Sequence, residues 1–245
     1  SSAASDVYKR QTDDQARAIN DVILDLETGK LMDRLICGDV GFGKTEVALR
    51  TSFILANSGY QVALVAPTTI LVKQHYKSFS ERFKTTSLNI SSLSRMTSLK
   101  DRNKIKNDLK TGEVNIVIGT HALLSNDVDF NNLGLLIIDE EQHFGVAQKE
   151  KIKELQGNIH VLTLSATPIP RTLQLSLSGL KQLSLITTPP VNRLSIRTFV
   201  LEWDKVVLLD ALNREKNRGG QTFIVCPRVC LLYTSPAHET VEDLV

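Results

Sequence analysis

Short apolar runs alternate along this 245-residue chain with segments of helical period. The runs are Leu35 to Cys37, Val62 to Ala66, Asn115 to Ile118, Leu133 to Ile138, Val161 to Leu164 and Thr222 to Val225. Their residues are apolar nearly throughout rather than alternating, the pattern of strands covered on both faces. Between the runs, Ile19, Val22, Ile23 and Leu26 repeat at i, i+3, i+4, i+7, as one face of a helix does. Thr12 with Gln15 makes a capping-box start for that helix, and Gly29 is placed to stop it. Leu71, Val72, His75, Tyr76 and Phe79 carry the same period, and Glu46 to Leu55 reads as a third helix. Strands alternating with helices predict an α/β fold, a parallel sheet with crossover helices on its faces.

The pattern breaks at Thr187-Thr188-Pro189-Pro190, where paired prolines end regular structure. Beyond it lie a strand-like Leu194 to Val200, a helix-like Asp204 to Lys216 and the last apolar run. These read as the truncated start of a second α/β unit, with too few strands to close a core of its own. The expected organisation is therefore a leader (1–11), a first domain (12–188), a linker with the start of a second domain (189–228), and a tail (229–245). Leader and tail fit neither the periodicity nor the motifs below, and read as foreign or disordered sequence.

Composition narrows this only slightly. Apolar residues at 42% and charged residues at 23% predict a packed core rather than disorder. No run approaches the roughly 20 apolar residues of a membrane span, and the N-terminus lacks a signal-peptide pattern. Cys226 and Cys230 stand four apart with no second pair, which argues against zinc. A reducing, cytoplasmic setting is expected. The net charge of +2 neither supports nor excludes nucleic acid, because a handful of local phosphate contacts decides affinity.

Chemistry enters with Gly38-Asp39-Val40-Gly41-Phe42-Gly43-Lys44-Thr45, a complete G-x-x-x-x-G-K-[ST] between an apolar run and a helical segment. Its glycines let backbone N–H groups wrap an anion, and the following helix adds its positive end. Lys44 would reach the outer phosphates of a nucleotide, and the Thr45 hydroxyl would ligate magnesium. Leu133 to Ile138 ends in Asp139-Glu140-Glu141-Gln142. In a parallel sheet the C-terminal strand ends gather at the ligand crevice, so Asp139 is expected to hold magnesium there. Glu140 is placed to orient or deprotonate an attacking water.

Three further loops follow strands: Ala66-Pro67-Thr68-Thr69-Ile70-Leu71, Gly119-Thr120-His121-Ala122-Leu123-Leu124 and Ser165-Ala166-Thr167-Pro168. Hydroxyl residues there suit phosphate contacts, although each also suits ordinary helix capping. In this order the three resemble motifs Ia, Ib and III of superfamily 2 helicases. GDVGFGKTEVALR, APTTILVKQH, IVIGTHALL, IIDEEQHFGV, LSATPIPRTLQLSLSGL and ITTPPVNRLSIRTFVLEWD resemble the motor of the bacterial transcription-repair coupling factors, over about residues 12 to 228. RecG-type helicases are the alternative; Phe42, Glu141 and the TPP-x-x-R-L segment favour the coupling factors.

The resemblance implies a RecA-like first motor domain, ATP and Mg²⁺, and ATP-fuelled movement on double-stranded DNA. By matching position Gln15 reads adenine. Gly38, Asp39, Val40, Gly41, Phe42, Gly43, Lys44 and Thr45 bind the nucleotide, with Thr45 and Asp139 at the metal. Lys44, Asp139 and Glu140 carry catalysis, Thr68, Thr120 and His121 face nucleic acid, and Ser165 and Thr167 couple nucleotide state to DNA grip. His121 and His143 fit polar-network roles better than metal ligation. Motifs V and VI and their arginine fingers do not occur in this sequence. Binding of ATP with weak or no turnover is therefore expected of it alone. RNA polymerase and excision-repair proteins would engage modules outside it. A nucleotide-dependent switch without hydrolysis is the rival from another class, and Glu140 argues against it.

Overall fold

The computed structural model describes residues 11–166, 182–190, 198–202 and 204–225. Contacts divide the chain into two compact units, residues 1–193 and 194–245.

The first unit is a sheet of seven parallel strands: β1 (Asp33–Gly38), β2 (Gln61–Val65), β3 (Ile90–Leu93), β4 (Ile116–Gly119), β5 (Leu133–Asp139), β6 (His160–Ser165) and β7 (Gln182–Ile186). Their order is β3-β4-β2-β5-β6-β1-β7, and every pairing is parallel. Side chains alternate between two faces, and each face has its own apolar core. Ile36, Leu64, Ile118, Ile137 and Leu164 point to one face. There they meet α1 (Asp13–Glu27), α2 (Lys44–Asn57) and α3 (Thr69–Arg82) through Val22, Val47 and Phe79. Val65, Val117, Ile138 and Val161 point to the other. That face is covered by Leu109 of α4 (Leu99–Thr111), Leu123 and Leu124 of a 3₁₀ turn (His121–Leu124), and Ile152 of α5 (Val146–Gln156). Phe79 is fully buried, edge-on to Phe83 at 5.8 Å. Burial of such a side chain contributes roughly 1.5–3 kcal/mol.

Helix starts follow the local chemistry. Thr12 caps α1 in a reciprocal box with Gln15, each backbone N–H donating to the other's side-chain oxygen at 3.3 Å. The helix closes at Thr28, and Gly29 beyond it has φ 68°. Ser98 caps α4 by accepting from the Asp101 N–H.

Two strands escaped the apolar-run criterion. β3 is half polar and only partly covered. β7 (QLSLI) is an edge strand whose buried Ser184 is satisfied by the Arg34 guanidinium at 2.7 Å. Arg34 also pairs with Asp25 of α1 at 2.6 Å, so a buried polar network joins α1, β1 and β7.

In the second unit, α6 (Lys205–Asn217) is capped by Asp204, which accepts from the Val206 N–H at 2.8 Å. The strand expected at Thr222 to Val225 is not formed: residues 221–225 have no regular structure, and Phe223 and Val225 are exposed. A strand needs a ladder partner, and none of the described strands pairs with this run. Of the expected strand at Leu194 to Val200, residues 194–197 lie outside the described residues and 198–200 are irregular.

Candidate functional site

All strands are parallel, so the loops after β1, β2, β4, β5 and β6 emerge at one edge of the sheet, as the sequence predicted. Register fixes their spacing: Asp139 pairs with Leu164, and Cys37 with Ser165. The acidic end of β5 is thus one strand, β6, away from the loop that leaves β1.

That loop, residues 38–45, depends on its glycines. Gly41 (φ 79°) and Gly43 (φ 84°) occupy the left-handed region, and α2 begins directly after Gly43. A Cβ at Gly43 would collide with the Gln15 amide. A Cβ at Gly38 would lie 2.9 Å from the Ile186 carbonyl oxygen of β7. The Lys44 ammonium donates to the carbonyls of Gly38 at 2.6 Å and Asp39 at 3.1 Å. Burial pulls its pKa below the usual lysine value, against the opposing pull of Glu140, then Asp139 and Asp39.

Asp139 is buried, and its Oδ2 accepts from His75 Nε2 at 2.7 Å. An ionised carboxylate can only accept, so the His75 proton sits on Nε2. His75, on the inner face of α3, is the residue of this constellation that the sequence did not single out. Its signal was a polar side chain within the apolar stripe of a helix.

Glu140 has φ 54° and ψ 57°, and it is the one non-glycine residue among the described residues with positive φ. Such strain persists where surrounding contacts over-determine it. Here Glu140 Oε1 accepts from the Ala166 N–H at 3.1 Å, and Oε2 from the Gln142 amide. The end of β5 is thereby tied to the third loop, whose Ser165 is buried; Thr167 lies outside the described residues.

Gln15 does not stand free. Its Nε2 donates to the Phe42 carbonyl at 2.7 Å while Oε1 serves the capping box, so α1 is fastened to the loop. Thr68 caps α3, accepting from the Leu71 N–H at 3.2 Å, and remains exposed. Thr120 is buried with an unpartnered hydroxyl. His121 lines a cavity of about 520 Å³ together with Arg102, Lys106, Asp127 and Lys151. His143 is exposed and outside this constellation. Among the described residues no group of three or more His, Cys, Asp or Glu side chains could hold a metal. Nor is any described helix long and apolar enough to cross a membrane.

The site therefore joins a glycine-built loop, a lysine under the field of three carboxylates, and an acidic strand end bonded to the neighbouring loop. The profile of the DEAD/DEAH box helicases matches residues 12–176, which include every one of these elements. This chain belongs to the DEAD/DEAH box helicase family. Among curated proteins it is 59% identical over 223 residues to the transcription-repair-coupling factor of Rickettsia prowazekii, covering 89% of this chain and 20% of that protein. To that of Bacillus subtilis it is 52% identical over 220 residues, covering 90% and 19%. The chain thus spans about a fifth of the length of these relatives. Among solved structures, RecG bound to a three-way DNA junction superposes with a TM-score of 0.79 at 35% identity, covering 96% of this chain and 32% of that one. The RecA-like helicase fold and the resemblance to the coupling factors are thereby borne out.

Proposed function

We propose that this sequence is the ATP-binding half of a motor that couples ATP hydrolysis to movement along double-stranded DNA in transcription-coupled repair. The observation that carries the reading is the placement of the loop bearing Lys44 and of the Asp139–Glu140 pair at one strand edge, a single strand apart.

The residues present suit a nucleotide polyphosphate with a divalent cation. Gly41 and Gly43 curve the loop as an anion nest does, and Lys44 rests on the loop's own carbonyls, within reach of a ligand there. Thr45, in the first turn of α2, and Asp139 would hold Mg²⁺, with phosphate oxygens and water completing its shell. Bound Mg²⁺ supplies charge that steadies the transferred phosphoryl group. His75 orients the Asp139 carboxylate. Glu140, held by the Ala166 N–H, positions the attacking water and accepts its proton. Because Ala166 belongs to the third loop, a change at Glu140 is felt next to Ser165 and Thr167, where coupling to DNA grip is proposed.

Identity to the coupling factors above 50%, against 35% to RecG, favours repair coupling, and RNA polymerase and excision-repair proteins as partners through other modules. A RecG-type helicase is the second reading, sustained by the structural match over 96% of the chain. A cytoplasmic setting fits either.

The test is ATP turnover, with and without duplex DNA, in a protein carrying this sequence together with a second RecA-like half. Glu140→Gln should keep ATP binding and lower DNA-stimulated turnover by about 10²–10⁴, the range for a positioned general base. Unchanged turnover would remove Glu140 from the mechanism.

A further inference from the structure

Asp14 is the residue beside Gln15 in the first turn of α1, and it is almost wholly buried. Its Oδ2 is the meeting point of four hydrogen bonds from the two residues that leave β7. The Thr187 N–H donates at 2.9 Å and its hydroxyl at 2.8 Å; the Thr188 N–H donates at 2.9 Å and its hydroxyl at 2.5 Å. Oδ1 accepts from Arg17. The Thr188 hydroxyl, then the Thr187 hydroxyl and amide, hold the Asp14 carboxyl well below the usual carboxylate range, as charge-assisted bonds do.

The same turn of α1 grips the phosphate loop one residue further on. Gln15 Nε2 donates to the Phe42 carbonyl, and its amide fills the space that a Cβ at Gly43 would occupy. Phosphate loop, Gln15, Asp14 and Thr187–Thr188 therefore form one unbroken chain of contacts. It begins where nucleotide would sit and ends where the polypeptide leaves the sheet toward residue 189. The loop's other flank touches the same strand, since Gly38 packs against Ile186.

We propose that Asp14 is a positioning residue that couples occupancy of the phosphate loop to the conformation of the segment leaving β7. This rests on the nucleotide-binding reading of the loop. A shift of the loop on ligand binding bears on Gln15 and so on the first turn of α1. That turn carries the oxygen holding Thr187 and Thr188. Coupling between two sites is reciprocal: if nucleotide tightens the latch, loosening the latch must weaken nucleotide binding by the same factor.

The experiment is done on this chain, with a fluorescent ATP analogue and magnesium as the probe. Amide hydrogen exchange at Thr187 and Thr188 is followed with and without it. In the wild type, exchange at both amides slows about five- to tenfold on saturation, a modest coupling on the usual scale. Thr188→Val removes one donor without disturbing α1, and should weaken analogue binding by a similar factor, whereas Thr188→Ser restores it. Asp14→Asn should speed exchange at both amides whether or not nucleotide is present. The proposal is overturned if Thr188→Val binds the analogue as tightly as the wild type. It is also overturned if nucleotide leaves the two amides unmoved, for then Asp14 is only a structural tie. If wild type fails to bind the analogue while Asp14→Asn still frees the two amides, the latch exists but the nucleotide reading of the loop falls, and the coupling with it.

Discussion

The two ends of the strand edge that carries the motifs are built on opposite plans. At the β1–β6–β5 end, the polar side chains of Lys44, Asp139, Glu140 and Gln15 each have an internal partner. Lys44 lies on two carbonyls, Asp139 on His75, Glu140 on the Ala166 N–H, and Gln15 on Phe42. At the β3–β4 end, the edge opens into the cavity of about 520 Å³ beside the 3₁₀ turn. Its basic side chains include those of Arg102 and His121, which make no hydrogen bond or ion pair among the described residues. Lys106 is engaged with Asp127, and Lys151 with Glu154. Catalysis needs groups held at fixed positions before the ligand arrives. A grip on a polyanion needs cations left available to it, with little demand on geometry. This difference is what the division of labour proposed for the motor would require of the two ends.

The larger of the two effects that separate these ends is expected at the satisfied one. His75→Phe would bury Asp139 without its donor. Magnesium-dependent affinity for an ATP analogue should fall about 10- to 100-fold, as for other partners that orient metal ligands. A magnesium titration checks this, and an unchanged titration would show that Asp139 needs no orientation. A smaller effect is expected at the open end. Arg102→Ala should leave nucleotide affinity alone and reduce the slope of log affinity for duplex DNA against log salt by about 1, the loss of one phosphate contact. A change in nucleotide affinity instead would erase the distinction between the two ends.

The smallest effect concerns pH. Because its hydrogen bonds hold Asp14 below the ordinary 3.8, the folded chain binds fewer protons there than the unfolded chain. This contribution to stability is complete above pH 3.8 and drains away as pH falls toward the lowered folded value. Asp14→Asn should flatten the acid limb of the stability curve in chemical denaturation while leaving its shape near neutrality unchanged. An acid limb as steep as the wild type's would mean that the threonine bonds do not favour the ionised form.

Legibility in the sequence follows the same contrast. The loop from Gly38 to Thr45 could be read because its backbone demands glycine at Gly41 and Gly43. The acidic strand end could be read because β5 is apolar until Asp139. Buried strands were visible as runs, whereas β7 was not. Its alternation makes sense only once Arg34 supplies a partner for Ser184 across 150 residues of sequence. His75 was counted as part of an apolar stripe, since nothing local shows that it meets Asp139, 64 residues away. The apolar Thr222 to Val225 misled for the complementary reason: composition suggests a strand, but only a neighbouring strand makes one. Long-range pairing of polar groups was the part of the site that local pattern could not carry.

Equilibrium binding of a fluorescent ATP analogue with magnesium, to the wild type and to Lys44→Ala, tests the central claim most directly. The account predicts saturable binding that the substitution weakens about 10- to 150-fold, the equivalent of about 1.5–3 kcal/mol for charge-assisted hydrogen bonds. Binding of equal strength in both proteins would mean that the loop from Gly38 to Thr45 is not where the nucleotide sits.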